Sequence, residues 1–128
     1  MRELKFRVWD KSVEHLYEVQ TLIDGGDAIG RYVLNGEMNY IHLCADEIIV
    51  EQYTGLKDKN GKEIYEGDIV WFKWTKRLYV VTYRIYDASF ILENDEWEED
   101  IHLSLDKDDF EVIGTIHENA ELLGEEEE

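Results

Sequence analysis

Residues 52–70 read Gln52-Tyr53-Thr54-Gly55-Leu56-Lys57-Asp58-Lys59-Asn60-Gly61-Lys62-Glu63-Ile64-Tyr65-Glu66-Gly67-Asp68-Ile69-Val70. A strand-like run ending at Tyr53 meets Thr54-Gly55, a turn beneath which Leu56 can tuck its apolar side chain. Asp58-Lys59-Asn60-Gly61 then reverses the chain, because Asn and Gly tolerate the positive φ that tight turns demand. Ile64-Tyr65 returns to the core, and Glu66-Gly67-Asp68 is a second tight turn that launches Ile69-Val70-Trp71. Turn chemistry alone accounts for every glycine here, and closely spaced reversals between apolar runs predict short antiparallel strands. The same stretch carries a functional expectation as well: a binding loop presenting Lys57, Asp58, Lys59 and Lys62 on a rigid scaffold.

Strand patterns continue in both directions. Toward the N-terminus, Leu4, Phe6 and Val8 alternate with Lys5 and Arg7, giving one apolar and one basic face. Asp10-Lys11-Ser12 reads as a turn and Leu16 to Val19 as a return strand. Asp24-Gly25-Gly26-Asp27 is a loop, followed by a weakly patterned stretch to Glu37. Met38 to Leu43 and Glu47 to Tyr53 are two further strands. Toward the C-terminus come Asp68 to Trp74, then Leu78 to Tyr86, in which Leu78, Val80 and Thr82 oppose Tyr79, Val81, Tyr83 and Ile85. Phe90 to Glu93 and Phe110 to His117 complete the set. Few windows show helical spacing; the best is Asn119 to Leu123, with Asn119 as N-cap and Gly124 just past the end. These elements predict an all-β fold, a small β-sandwich or partly open barrel of short strands with one short C-terminal helix. A single domain over residues 1–123 is expected, with residues 1–54 as an N-terminal subregion and residues 124–128 as an acidic tail.

Composition bounds the chemistry. The chain has 128 residues, 44% hydrophobic and 12% aromatic, enough for a real core, which excludes wholesale disorder. Ile69-Val70-Trp71-Phe72 is far short of the roughly 20 apolar residues of a membrane helix, and the alternating N-terminus is no apolar signal core. A single cysteine, Cys44, makes no internal disulfide, so a reducing cytoplasm is the expected compartment. Proline is absent, which excludes proline-rich ligand segments. Against 13 Lys and Arg stand 31 Asp and Glu, a net charge of -18. Residues 1–86 hold 14 acids and 12 bases, whereas residues 87–128 hold 17 acids and one base, Lys107. The second segment repels polyanions and favours solubility, while the first can hold a local basic face.

Three stretches together carry a family likeness. They are Arg2-Glu3-Leu4-Lys5-Phe6-Arg7-Val8-Trp9-Asp10, the run from Gln52 to Val70, and Phe110-Glu111-Val112-Ile113-Gly114-Thr115-Ile116-His117-Glu118-Asn119-Ala120-Glu121-Leu122-Leu123. In this order the chain resembles the YopX family of phage and prophage proteins. The resemblance implies a small, mostly β protein acting in a bacterial cell. It brings no activity, substrate, cofactor or catalytic residue with it. Residues 20–51 and 86–109, and the run Glu125 to Glu128, lie outside the likeness.

Each candidate site has a simpler reading beside it. A calcium loop of the EF-hand type wants Gly at its sixth place and Glu at its twelfth; from Asp58, Gly61 is fourth and Ile69 twelfth, so this is a turn. His42 and Cys44 share a strand face, but a structural zinc site wants four ligands, and His15, His102 and His117 are scattered. Cys44 therefore reads as an inert buried thiol. Ser12, Ser89 and Ser104 lack a nucleophile signature, and no glycine loop is built for phosphate. No catalytic residue, metal or cofactor is assigned, and the chain is not expected to be an enzyme.

Two surfaces remain. Trp71-Phe72-Lys73-Trp74-Thr75-Lys76-Arg77-Leu78-Tyr79 interleaves rings with cations, as single-stranded nucleic-acid platforms do. A regular strand would place Trp71 and Lys73 on one face, and Phe72 and Trp74 on a core face, with Lys76-Arg77 at the turn of a half-buried hairpin. The candidate interaction surface is Trp71, Lys73, Trp74, Lys76 and Arg77. The second is acidic: Glu96, Trp97, Glu98, Glu99 and Asp100, within a 93–111 segment that could imitate DNA toward a host DNA-binding protein. The expected function is a non-catalytic accessory module contacting a protein partner. The alternatives are a single-stranded nucleic-acid binder, disfavoured by net charge, and the DNA mimic. Uncovered strand edges and abundant Tyr and Trp favour a homo-oligomer, and no membrane partner is expected.

Overall fold

A computed structural model describes residues 4–85, 88–94, 98–100 and 107–124. The described chain is mostly antiparallel β with one short helix, as the alternation predicts. It divides into two compact units, one up to Gln52 and the other from Tyr53 onward.

The first unit holds β1 (Phe6–Asp10), β2 (His15–Leu22), β3 (Ala28–Leu34), β4 (Glu37–Leu43) and the first half of β5 (Ile48–Lys57), in the spatial order β4-β3-β2-β1-β5. Val8 lies opposite both Tyr17 and Val50 and is fully buried, at the centre of a core with Ala28, Leu43 and Ile48. Its neighbour Arg7 points to the other face, where Nε donates to Glu51 Oε1 at 2.8 Å. Leu4 precedes the strand and is exposed, so the apolar face begins at Phe6.

The weakly patterned stretch before Glu37 contains a full strand, β3. One feature masks it in the sequence. Gly30 interrupts the run, yet a Cβ there would stand 2.9 Å from Leu43 Cδ1 and 3.0 Å from Tyr17 Cβ. The glycine is a close-packing device inside a strand. The β3–β4 turn, by contrast, follows from its residues. Asn35 and Gly36 both have positive φ (54° and 81°), with Leu34 opposite Glu37. That is the two-residue hairpin that an Asn-Gly pair favours.

The second unit begins with the rest of β5, which runs on to Lys57 instead of ending at Tyr53. Thr54-Gly55 is accordingly an irregularity within a strand, not a turn. Gly55 has φ 91°, and Thr54 Oγ1 donates to the Ile64 carbonyl at 2.8 Å while accepting the Leu56 N–H at 3.1 Å. β6 (Glu63–Tyr65) pairs with this end of β5. A sheet follows in the order β10-β9-β8-β7-β11, made of β7 (Asp68–Phe72), β8 (Arg77–Arg84), β9 (Ser89–Glu93), β10 (Glu98–Asp100) and β11 (Phe110–Thr115). Its core is Ile64, Val70, Tyr79, Val81, Phe90, Leu92 and Phe110, with Leu56, Phe72 and Val112 packed against it.

The helix α1 (Glu121–Gly124) starts later than expected and includes Gly124. Asn119 does not cap it through its side chain. Its Oδ1 reaches back to accept the Thr115 N–H at 3.1 Å, and its carbonyl accepts the Leu122 N–H.

Candidate interaction surface

Every residue of the aromatic and basic stretch lies on the β7–β8 hairpin or its turn. β7 stops at Phe72, because the Lys76 N–H closes on the Phe72 carbonyl at 2.9 Å and Lys76 takes φ 58°. The residues 73–76 therefore form a turn, and face alternation lapses there. Phe72 does face the core as expected, stacked on Phe110 at 4.7 Å and meeting Tyr79 edge-on at 6.2 Å. Trp74 does not. It sits in the turn with 69% of its surface exposed, correcting the core assignment. Lys73 Nζ lies 5.1 Å from the centroid of the Trp74 ring. Lys73, Lys76 and Arg77 are exposed and Trp71 is half-buried in β7. Below the tip, Tyr79 Oη donates to Thr75 Oγ1 at 2.9 Å, tying the turn to a fully buried ring.

The Asp58 loop stands on the far side of β11. Asp58 is not presented to solvent, as the loop reading supposed; it is 1% exposed. Oδ1 accepts the N–H groups of Asn60 and Lys62, each at 2.9 Å, and Oδ2 accepts that of Val112 at 2.8 Å. Burial pushes this carboxyl up, but the Val112, Lys62 and Asn60 N–H groups and the Lys62 charge outweigh it and hold it below the usual carboxylate range. Around that fixed carboxylate, Lys57, Lys59 and Lys62 remain exposed.

Of the acidic candidates, Glu96 and Trp97 lie outside the described residues. Glu98, Glu99 and Asp100 form β10, opposite Glu93, Leu92 and Ile91. The acids closer to the hairpin are placed: Asp109 Oδ1 is 3.7 Å from Lys73 Nζ, and Glu111 Oε1 is 3.3 Å from Lys59 Nζ.

His42 turns to Asp27, with Nε2 and Oδ2 2.8 Å apart, while Asp27 Oδ1 accepts the Ala45 N–H. Cys44 is exposed, not buried. Among the described residues no group of three or more His, Cys, Asp or Glu could hold a metal ion, and no helix is long and apolar enough to cross a membrane. One feature had no sequence signal: an open groove of about 550 Å³ in the first unit, lined by residues of β2 and β3 with Met38. Tyr17 meets His15 and Tyr32 edge-on there, and Arg31 pairs with Glu18 at 3.2 Å.

The family profile described as YopX protein matches residues 5–124. The chain belongs to the YopX family. Its fold is similar to that of the protein EF1440 from Enterococcus faecalis, with a TM-score of 0.64 and 27% identity over 96% of this chain and 99% of that one. It is also similar to the crystal structure of protein yopX from Bacillus subtilis, with a TM-score of 0.57 and 19% identity over 93% and 97% of the two chains. Comparison with curated proteins gives no match. YopX membership covers both compact units, so the hairpin and the Asp58 loop fall inside the matched region.

Proposed function

We propose that this chain is a non-catalytic accessory module, in the phage or prophage setting that the family likeness implies, which binds a protein partner through the tip of the β7–β8 hairpin. The observation that carries this reading is Trp74, exposed to 69% on a turn whose base is locked by Phe72, Phe110 and Tyr79. A firmly mounted Trp with an Arg at the same hairpin end has the composition of a protein-binding hot spot. Burying such a ring removes on the order of 150 Å² of apolar surface, worth roughly 4 kcal/mol before the costs of association. A single-stranded nucleic-acid platform would offer several stacking rings in succession. Here Trp74 is the exposed one, while Trp71 is half-buried and Phe72 is committed to the core.

The test is affinity capture from the cell that encodes the chain, with the wild type and a Trp74→Ala, Lys76→Glu variant side by side. The reading expects a defined protein that the wild type retains and the variant loses. Identical recoveries by both would remove the hairpin from the contact. Retention of oligonucleotide in place of protein would transfer the function to the nucleic-acid alternative.

A further inference from the structure

Residues 53–86 contain seven Lys and Arg against four acids, in a chain that is otherwise strongly acidic. Two of those acids, Asp58 and Asp68, are buried, so their charge is turned inward. Six of the cations, Lys57, Lys59, Lys62, Lys73, Lys76 and Arg77, are exposed, and all six fall on two loops or the strand residues that border them. Both loops are fastened to consecutive residues of the chain leading into β11. The Lys73 N–H donates to the Asp109 carbonyl at 3.0 Å, and the Lys59 N–H donates to the Phe110 carbonyl at 3.0 Å. β11 thus runs between them, with β7 along one edge and the Asp58 loop along the other. Two strand spacings separate those neighbours, about 10 Å.

We infer that these two loops form one binding surface for an acidic, extended peptide segment of a protein partner, with Trp74 as its apolar anchor. This rests on the hairpin reading above and widens it to a second element and a partner chemistry. An extended chain rises about 3.3 Å per residue, so carboxylates three positions apart span the same 10 Å as the two loops. The chain already shows that carboxylates fit. Glu111 meets Lys59 from one side of the gap and Asp109 meets Lys73 from the other. The Lys59–Glu111 pair is substantially solvent-exposed and so weak and exchangeable, whereas in the other pair Lys73 is half-exposed and Asp109 is mostly covered. Lys57 and Lys76 make no ion pair among the described residues and are left to an incoming acid. A continuous phosphate backbone fits less well, because Asp109 and Glu111 stand inside the surface and would repel each phosphate passing over them, whereas a peptide can place its acids selectively.

The decisive measurement is fluorescence anisotropy of the full chain with two labelled probes: a short synthetic peptide with Glu at every third position and one Leu, and an oligothymidylate of equal charge. We expect the peptide to bind more tightly than the oligothymidylate. Lys59→Glu with Lys62→Glu, and separately Trp74→Ala with Lys76→Glu, should each weaken it about tenfold, as charge reversal at complementary surfaces does. Glu111→Gln, which releases Lys59, should tighten it several-fold, an effect that misfolding cannot produce. If reversal in the Asp58 loop changes nothing while the hairpin variant abolishes binding, the wider surface is wrong and the hairpin reading stands. If neither variant matters, both fall. Tighter binding of oligothymidylate overturns the acidic peptide as the partner.

Discussion

Asp58 Oδ2 accepts the backbone N–H of Val112 at 2.8 Å, joining positions 54 residues apart in the chain. Beside it the Lys59 N–H donates to the Phe110 carbonyl. These two bonds take the places a neighbouring strand would fill, so the outer edge of β11 is closed by a turn. An open edge would invite pairing with other chains. A carboxylate suits the position because three N–H groups converge on it, and only an acceptor-only side chain can receive them all.

Replacing Asp58 tests this directly. Asn keeps the size but offers one acceptor oxygen and turns an NH2 group toward donors. Asp58→Asn should cost about 2–4 kcal/mol, as expected for charge-assisted bonds at a buried site. Urea denaturation would read it as a lower midpoint at unchanged slope. A loss below about 0.5 kcal/mol would mean the bonds contribute nothing net.

The same carboxylate fixes the sign of an acid dependence. Its folded pKa lies below the unfolded value of about 3.9, so its contribution is complete above that pH and disappears as pH falls through the folded pKa. The wild type should exceed Asp58→Asn by a constant margin from neutral pH down to about pH 5, and the margin should begin to narrow below about pH 4. Asp27 is also lowered, first by its His42 bond and then by the Ala45 N–H, but it is common to both proteins and cancels in the difference. Urea midpoints across that range supply the measurement; a gap that does not narrow at all as the pH falls below about 4 would contradict it.

How far the sequence discloses this architecture depends on the range of the interaction. The period-two run Leu78 to Thr82 reveals its strand because each residue reports its own face; Tyr79 and Val81 are fully buried, whereas Ile85, assigned to the same face by the alternation, lies past the end of β8 and is 85% exposed. Asn35-Gly36 carries a legible hairpin signal, but Gly30 breaks the alternation of its first strand, and the need for that glycine lies in Tyr17 and Leu43. Trp74 departs from its strand face because the bond from Lys76 to Phe72 ends β7, a choice local composition leaves open. Asp58 is the extreme case. Its turn role toward Asn60 is local and readable, while its bond to Val112 belongs to topology. The candidate surface is legible as a composition, whereas the gathering of both loops around β11 is not.

Gly114 offers a test of close approach within β11. A Cβ added there would collide with Asn119 Oδ1 and stand 2.6 Å from its Cγ and 2.9 Å from its Cβ. Asn119 cannot step aside freely, since its side chain accepts the Thr115 N–H and its own N–H donates to the Thr115 carbonyl. Gly114→Ala should therefore destabilise by about 1–3 kcal/mol, the usual cost of overpacking. Collision predicts strong coupling in a double-mutant cycle: Asn119→Ala should cost far less on the Gly114→Ala background than alone. Additive losses would assign the effect to backbone preference.

The setting of Cys44 decides whether the Asp27 and His42 pair could serve a nucleophile. Desolvation raises the thiol pKa first, and the carboxylates of Asp27, Glu47, Asp46 and Asp10 raise it further. The thiol is exposed, so its reactivity is governed by its charge state more than by access. An activated cysteine has the opposite setting, with cations or a helix N-terminus lowering its pKa. Alkylation by iodoacetamide at pH 8 should accordingly run several-fold slower than that of a free thiol such as glutathione. Asp46→Asn, which removes one carboxylate without touching the Asp27 bonds, should speed it, and added salt should do the same by screening. A rate equal to glutathione's that neither salt nor the substitution alters would show that the acids do not reach the sulfur. A faster rate would reopen Cys44 as a reactive centre.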